Sequence, residues 1–125
     1  MGTTELNDDS STYPLVLHRL MEQIHQRVRE MPENSYTTRL IQGGVPKMGS
    51  KITEDAREVV EAAAEEGDAG RKHLVYEACD LIYHLWVLLG SRGITVTELE
   101  SELARREGTS GLVEKQSRTT PTKPS

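Results

Sequence analysis

Phenylalanine is absent from these 125 residues, tryptophan occurs once, and aromatic side chains make up only 4% of the chain. Hydrophobic residues reach 35%. A length of this order suits one domain, and so lean a core excludes a large self-sufficient interior. Lean helical proteins complete their cores by oligomerising. One cysteine, Cys79, is present, which excludes an internal disulfide and any CxxC motif, and fits a reducing cytoplasm. With neither a base nor a second cysteine beside it, Cys79 reads as a packed thiol. No run approaches the roughly eighteen apolar residues of a membrane span, and the first dozen residues are polar and acidic, so neither a span nor a signal peptide is expected. A cationic surplus is lacking too: Lys plus Arg number 15 against 20 Asp plus Glu, a net charge of −5. General electrostatic attraction to nucleic acid is therefore not expected. If the ligand is an anion, metal ions or a few local bases must meet it. No HExxH and no GxxxxGK[ST] occurs.

What is present is helical periodicity. Residues 1–12 and 119–125 read as disordered ends, and 13–118 as one all-α domain of about four to five helices. Thr12 is a candidate cap for a first helix, with Leu17, Leu20, Ile24, Val28 and Met31 on one stripe, ended by Pro32. Ser35 caps a short helix predicted over Tyr36 to Gln42, stopped by Gly43-Gly44. A long helix is expected from about Pro46 to Glu66, broken by Gly67-Asp68, and another from about Gly70 to Arg92, stopped by Gly93. Thr95 with Glu98 makes a capping box for a last helix ending near Gly108. The Gly70–Arg92 helix is apolar around much of its circumference, which predicts a central position or a face against a second subunit.

Four acids stand out in the two long helices: Asp55 with Glu58, and Glu77 with Asp80. Residues three apart share a helix face, so each pair forms a two-carboxylate claw. Asp55 and Asp80 lie equally far from the Gly67-Asp68 junction, and so do Glu58 and Glu77. An antiparallel hairpin about that turn would set Glu58 against Glu77 and Asp55 against Asp80. Four converging carboxylates repel one another unless cations neutralise them, and oxygen-only ligands select hard ions, Mg²⁺ above all. Acid-rich faces are often mere solvated surface, but Glu77 and Asp80 interrupt a strongly apolar helix, where unpaired charge is costly. Lys47 and Lys51 lie one turn apart near the start of the first long helix, an end that favours phosphate. Each alone would pass as surface decoration. His84, one turn past Asp80, reads either as a contact to the acids or substrate, or as a buried structural histidine.

Glu54-Asp55-x-x-Glu58 followed by Glu77-x-x-Asp80 resembles the EExxE…ExxD signature of the all-α MazG-type nucleotide pyrophosphohydrolases. The segments Ser35-Tyr36-Thr37-x-x-Leu40, Lys51-Ile52-x-Glu54-Asp55-x-x-Glu58-Val59, Glu77-Ala78-x-Asp80-Leu81-x-Tyr83-His84-Leu85, Leu103-Ala104-Arg105-Arg106 and Ser110-Gly111-Leu112-x-Glu114-Lys115 narrow it to the phosphoribosyl-ATP pyrophosphohydrolase family of histidine biosynthesis. The resemblance spans about residues 35–118. Asp55 stands where the family usually has Glu, and Glu61 where an apolar residue is common.

The resemblance implies an ATP-binding, nucleotide-binding hydrolase that cleaves phosphoribosyl-ATP to phosphoribosyl-AMP and pyrophosphate. It implies Mg²⁺ held by Asp55, Glu58, Glu77 and Asp80, and water oriented or deprotonated by Glu54 or Glu58. Phosphate or substrate would be bound by Lys47, Lys51 and His84. A cytoplasmic homodimer is expected, without nucleic-acid or membrane partners, functionally linked to a separate phosphoribosyl-AMP cyclohydrolase. The alternatives are a house-cleaning (d)NTP pyrophosphohydrolase with the same claw, and a non-catalytic helical interaction module. Asp55→Glu, restoring the family's usual length, is expected to keep most activity.

Overall fold

The computed structural model describes the backbone of residues 2–108 and the side chains of residues 16–108. All five of its regular elements are helices, and no strand occurs among the described residues. They are α1 (Gly2–Glu30), α2 (Tyr36–Gln42), α3 (Gly44–Ala63), α4 (Gly67–Ser91) and α5 (Val96–Arg106). The all-α expectation holds. No helix among the described residues is long and apolar enough to cross a membrane.

The short helix begins as its sequence dictates: Ser35, extended at φ −109° and ψ 128°, accepts a hydrogen bond from the Thr38 amide at 3.2 Å. Other boundaries differ. The α1 backbone is helical from Gly2, so Thr12 lies inside the helix and not at its cap; nothing in residues 2–11 forms an apolar stripe from which periodicity could place the start. The turn between α3 and α4 is as long as expected but lies three residues earlier. Helix α3 stops at Ala63, and α4 starts at Gly67, whose φ of 78° is accessible to glycine without strain. The tail predicted over 119–125 lies outside the described residues, as does the Ser110–Lys115 motif.

Within residues 1–95, which form one compact unit, α3 and α4 pack as an antiparallel hairpin. Helix α1 lies against α4, and the short α2 touches α1, α3 and α4. The core is built from Met21 and Ile24 of α1, Leu40 of α2, Met48 and Ala62 of α3, and Trp86 and Val87 of α4. Leu17, expected on the buried stripe, is exposed; Met21, one position on from Leu20, is buried in its place. The Leu17 carbonyl instead receives the Trp86 indole N–H at 3.0 Å. Cys79, expected to be packed, is exposed. The last helix, α5, belongs to a second unit, in which Arg105 and Arg106 both bind Glu102 and hold its carboxyl down at about 2.

Gly90 is the close-approach point of α1 and α4. A Cβ there would fall 2.6 Å from Ile24 Cγ2 and 3.2 Å from Met21 Sδ. Both neighbours are buried and the Ile24 methyl sits next to its backbone, so neither yields easily. Gly90→Val should lower unfolding stability by about 1–3 kcal/mol, as overpacked cores do. Urea denaturation checks this, and an unchanged midpoint would contradict it.

Candidate active site

The α3–α4 hairpin carries the acids, and the way each carboxylate is engaged differs. Asp55, near the middle of α3, is buried with 4% of its surface exposed. Its Oδ2 is hydrogen-bonded to Nδ1 of His84, also buried, on α4. A carboxylate only accepts, so His84 donates from Nδ1; a neutral ring then leaves Nε2 to accept the Tyr36 hydroxyl proton, 3.0 Å away. Asp55, His84 and Tyr36 thus form one polar chain joining α3, α4 and α2, buried at Asp55 and His84 and open to solvent at Tyr36. Tyr36 stacks on Tyr83 with centroids 6.3 Å apart and planes 14° apart, and the Tyr83 hydroxyl is bonded to Thr37. Both Tyr36 and Tyr83 meet the His84 ring edge-on.

One turn toward the hairpin's tip, Glu58 and Glu77 interact as the symmetric spacing predicts. Desolvation, then the charge of Glu77 and that of Glu54, push the Glu58 carboxyl above its ordinary value. Glu77 has one oxygen, Oε2, bonded to His73 Nε2 at 3.0 Å, while Oε1 is buried with no hydrogen-bond partner. His73 also binds both oxygens of Glu65 through Nδ1, at 3.0 and 3.1 Å. The Glu65 and Glu77 carboxylates raise the His73 pKa, consistent with a ring that donates from both nitrogens. Asp80, half-buried between Glu77 and His84 along α4, makes no side-chain hydrogen bond among the described residues.

The remaining candidates lie at the start of α3. Lys51 forms an ion pair with Glu54, Nζ to Oε1 3.3 Å. That bond, with the Tyr36 phenol adding to it, raises the Lys51 pKa, so the ammonium stays charged. Lys47 is exposed, and its aliphatic stem lies over Gly43.

Among the described residues no group of three or more His, Cys, Asp or Glu side chains is arranged to hold a metal ion. The local reason is visible: Asp55 is turned onto His84, and Glu77 gives one oxygen to His73. The donors nonetheless fit a hard divalent cation. Glu77 Oε1 is a buried acceptor without a partner, and the repulsion from Glu77 and Glu54 that helps raise the Glu58 pKa is what a cation between the acids would relieve. Tyr36, Tyr83 and His73 are the residues to which sequence reasoning gave no role. The first two lie inside the family-like segments Ser35-Tyr36-Thr37 and Tyr83-His84, a signal that marked the segments but not the hydroxyls.

A helical hairpin with opposed acids on facing helices, and lysines on one of them, defines this as an all-α protein. The sequence profile of phosphoribosyl-ATP pyrophosphohydrolase (PRA-PH) matches residues 17–107, and the chain belongs to that family. It is 58% identical to the phosphoribosyl-ATP pyrophosphatase of Rhodopirellula baltica over 104 residues, covering 83% of this chain and 87% of that one. It is 44% identical to the enzyme of the same name from Paracoccus denitrificans over 109 residues, 87% of this chain and 98% of the relative. A histidine biosynthesis bifunctional protein, HisIE of Wolinella succinogenes, is 40% identical over 116 residues, 93% of this chain but 49% of its own length.

Proposed function

We propose that this chain hydrolyses phosphoribosyl-ATP to phosphoribosyl-AMP and pyrophosphate, the reaction of a phosphoric-anhydride hydrolase in histidine biosynthesis. Family membership over residues 17–107 carries the proposal, and the names of its relatives do not favour the house-cleaning alternative. The match to part of a bifunctional relative supports a functional link to a separate phosphoribosyl-AMP cyclohydrolase.

Water adds across the anhydride between the α and β phosphates, and pyrophosphate leaves. Phosphoryl-type transfer is catalysed mainly by positioning and charge neutralisation. Asp55, Glu58, Glu77 and Asp80 are the residues that would hold Mg²⁺, which when bound neutralises the charge of the phosphates and leaving group. Glu58, which faces Glu77 across the hairpin, is placed to take the proton from the attacking water. Glu54 is engaged with Lys51, which suits it to keeping that ammonium in place. Lys51 and Lys47 bind the triphosphate. His84, both of whose nitrogens are bonded within the chain, acts through Asp55 by fixing its orientation.

The reading includes a cytoplasmic homodimer. Val60 on α3 and Val75 and Tyr76 on α4 are 70%, 59% and 65% exposed, a large apolar presence for so lean a protein, and a second copy is the partner that fits it. A panel of phosphoribosyl-ATP, dCTP, dUTP and the common NTPs, each with Mg²⁺ and with EDTA, tests the proposal. Phosphoribosyl-ATP should be cleaved at least tenfold faster than any other member, and only with Mg²⁺. Preference for a canonical nucleotide would overturn it.

A further inference from the structure

The substrate in the proposed reaction is anionic at two ends: a triphosphate, and the phosphate of its phosphoribosyl group. The acids and lysines of the hairpin serve the first. A site that contacted nothing else would treat ATP equally well, so discrimination calls for a cation elsewhere. We propose that Arg27 supplies it by binding the phosphate of the phosphoribosyl group. This rests on the function proposed above.

Arg27 lines a cleft of about 610 Å³ where the end of α1 meets the start of α2, shared with Asn34, Tyr36, Thr37 and Tyr83. That volume lies in the range of small-molecule sites. Arg27 is half-buried, yet it makes no ion pair and no side-chain hydrogen bond among the described residues. The arginines Arg57, Arg105 and Arg106, by contrast, are exposed and each is paired with a glutamate. Arg27 is half-buried along its stem while its guanidinium nitrogens reach the solvent of the cleft and carry no anion, and its planar fork suits phosphate. Its backbone is fixed, the Arg27 carbonyl accepting the Met31 amide at 2.7 Å. One carboxylate also lines the cleft, Glu30, and it is already bonded to Gln26 at 3.1 Å.

The cleft is connected to the acids through one side chain. Tyr36 lines it, and the Tyr36 hydroxyl binds His84, which holds Asp55. The stack on Tyr83 and the Tyr83–Thr37 bond keep that wall rigid. On this assignment a ligand that reaches from the hairpin acids past Tyr36 sets its phosphoribosyl phosphate beside Arg27. Asn34 offers amide hydrogen bonds to sugar hydroxyls on the way.

The experiment compares wild type with Arg27→Gln and Arg27→Lys by steady-state kinetics and by calorimetric binding of phosphoribosyl-AMP and of AMP. Arg27→Gln should raise KM for phosphoribosyl-ATP about tenfold or more and leave kcat within about twofold, with Arg27→Lys recovering part of the loss. Phosphoribosyl-AMP should bind more weakly by a similar factor, while AMP, which lacks the phosphoribosyl group, binds as before. Equal weakening of both ligands would overturn the assignment and make Arg27 structural, as would no change in either. If wild type itself failed to cleave phosphoribosyl-ATP, the function would fall, and that shows before any variant is compared.

Discussion

Glu58→Gln should reduce pyrophosphate release from phosphoribosyl-ATP by about 100-fold or more, the loss expected when a general base is removed. The same change should raise the melting temperature of the metal-free protein. The second effect comes from the charge that Glu58 faces when no cation is bound. Glu58 is desolvated and faces Glu77, so its ionised form is disfavoured in the fold and its pKa lies above the ordinary value. The folded state therefore binds the proton more tightly than the unfolded state. The penalty is present above the folded pKa and is relieved as the pH falls through it. Glutamine keeps the size and removes the charge, so the gain in melting temperature should be small, because solvent screens this carboxylate, and should shrink further toward acid pH, where wild-type Glu58 takes up its proton. Added Mg²⁺ should narrow the gap by stabilising wild type. Paired thermal scans across pH, with and without Mg²⁺, read all of this. Activity within a few fold of wild type would remove Glu58 from the chemistry.

Asp55 is the second position where a large effect is expected, and here the fold revises what its sequence implied. As a family departure, Asp55 invites restoration to Glu. The aspartate is, however, 4% exposed and already in contact with a buried histidine, so an added methylene has no space and must displace His84 or the backbone. Asp55→Glu should cost about 1–3 kcal/mol of stability, as overpacking does, and lower activity. Asp55→Ala leaves His84 Nδ1 buried without its acceptor, at a cost of about 1–3 kcal/mol in stability. Asp55→Asn should fold nearly as well as wild type, since its amide oxygen still accepts from His84. It should raise the Mg²⁺ concentration needed for half-maximal turnover and lower that turnover. Guanidinium denaturation and Mg²⁺ titrations of the three variants separate packing from charge. Wild-type behaviour of Asp55→Asn across the titration would make Asp55 purely structural.

The helices were legible because their signals are local. Ser35 has its partner three residues away, and Gly67 supplies a backbone conformation that other residues resist. The hairpin and the opposition of Glu58 to Glu77 followed from helical geometry and a symmetric spacing about one turn. The pairing of Asp55 with His84 did not. Its partners are 29 residues apart, and by symmetry alone Asp80 was the acid to set opposite Asp55. Tyr36 is 48 residues from His84, and nothing in either local segment shows that the two hydroxyl- and nitrogen-bearing rings meet. His73 was invisible for a different reason. It lies in no motif that the sequence brought forward, and only the fold reveals that it spans Glu65 and Glu77. Periodicity also misplaced the buried position on α1 by one residue, because Met21 and Leu20 are equally apolar and the choice between them is made by Gly90 across the interface.

The most direct test of the central claim is phosphorus NMR of the reaction mixture with phosphoribosyl-ATP and Mg²⁺. Pyrophosphate and phosphoribosyl-AMP should appear together in equal amounts from the first turnover, with no orthophosphate, and EDTA should stop both. Release of orthophosphate with a diphosphate product, or no reaction at all, would contradict it.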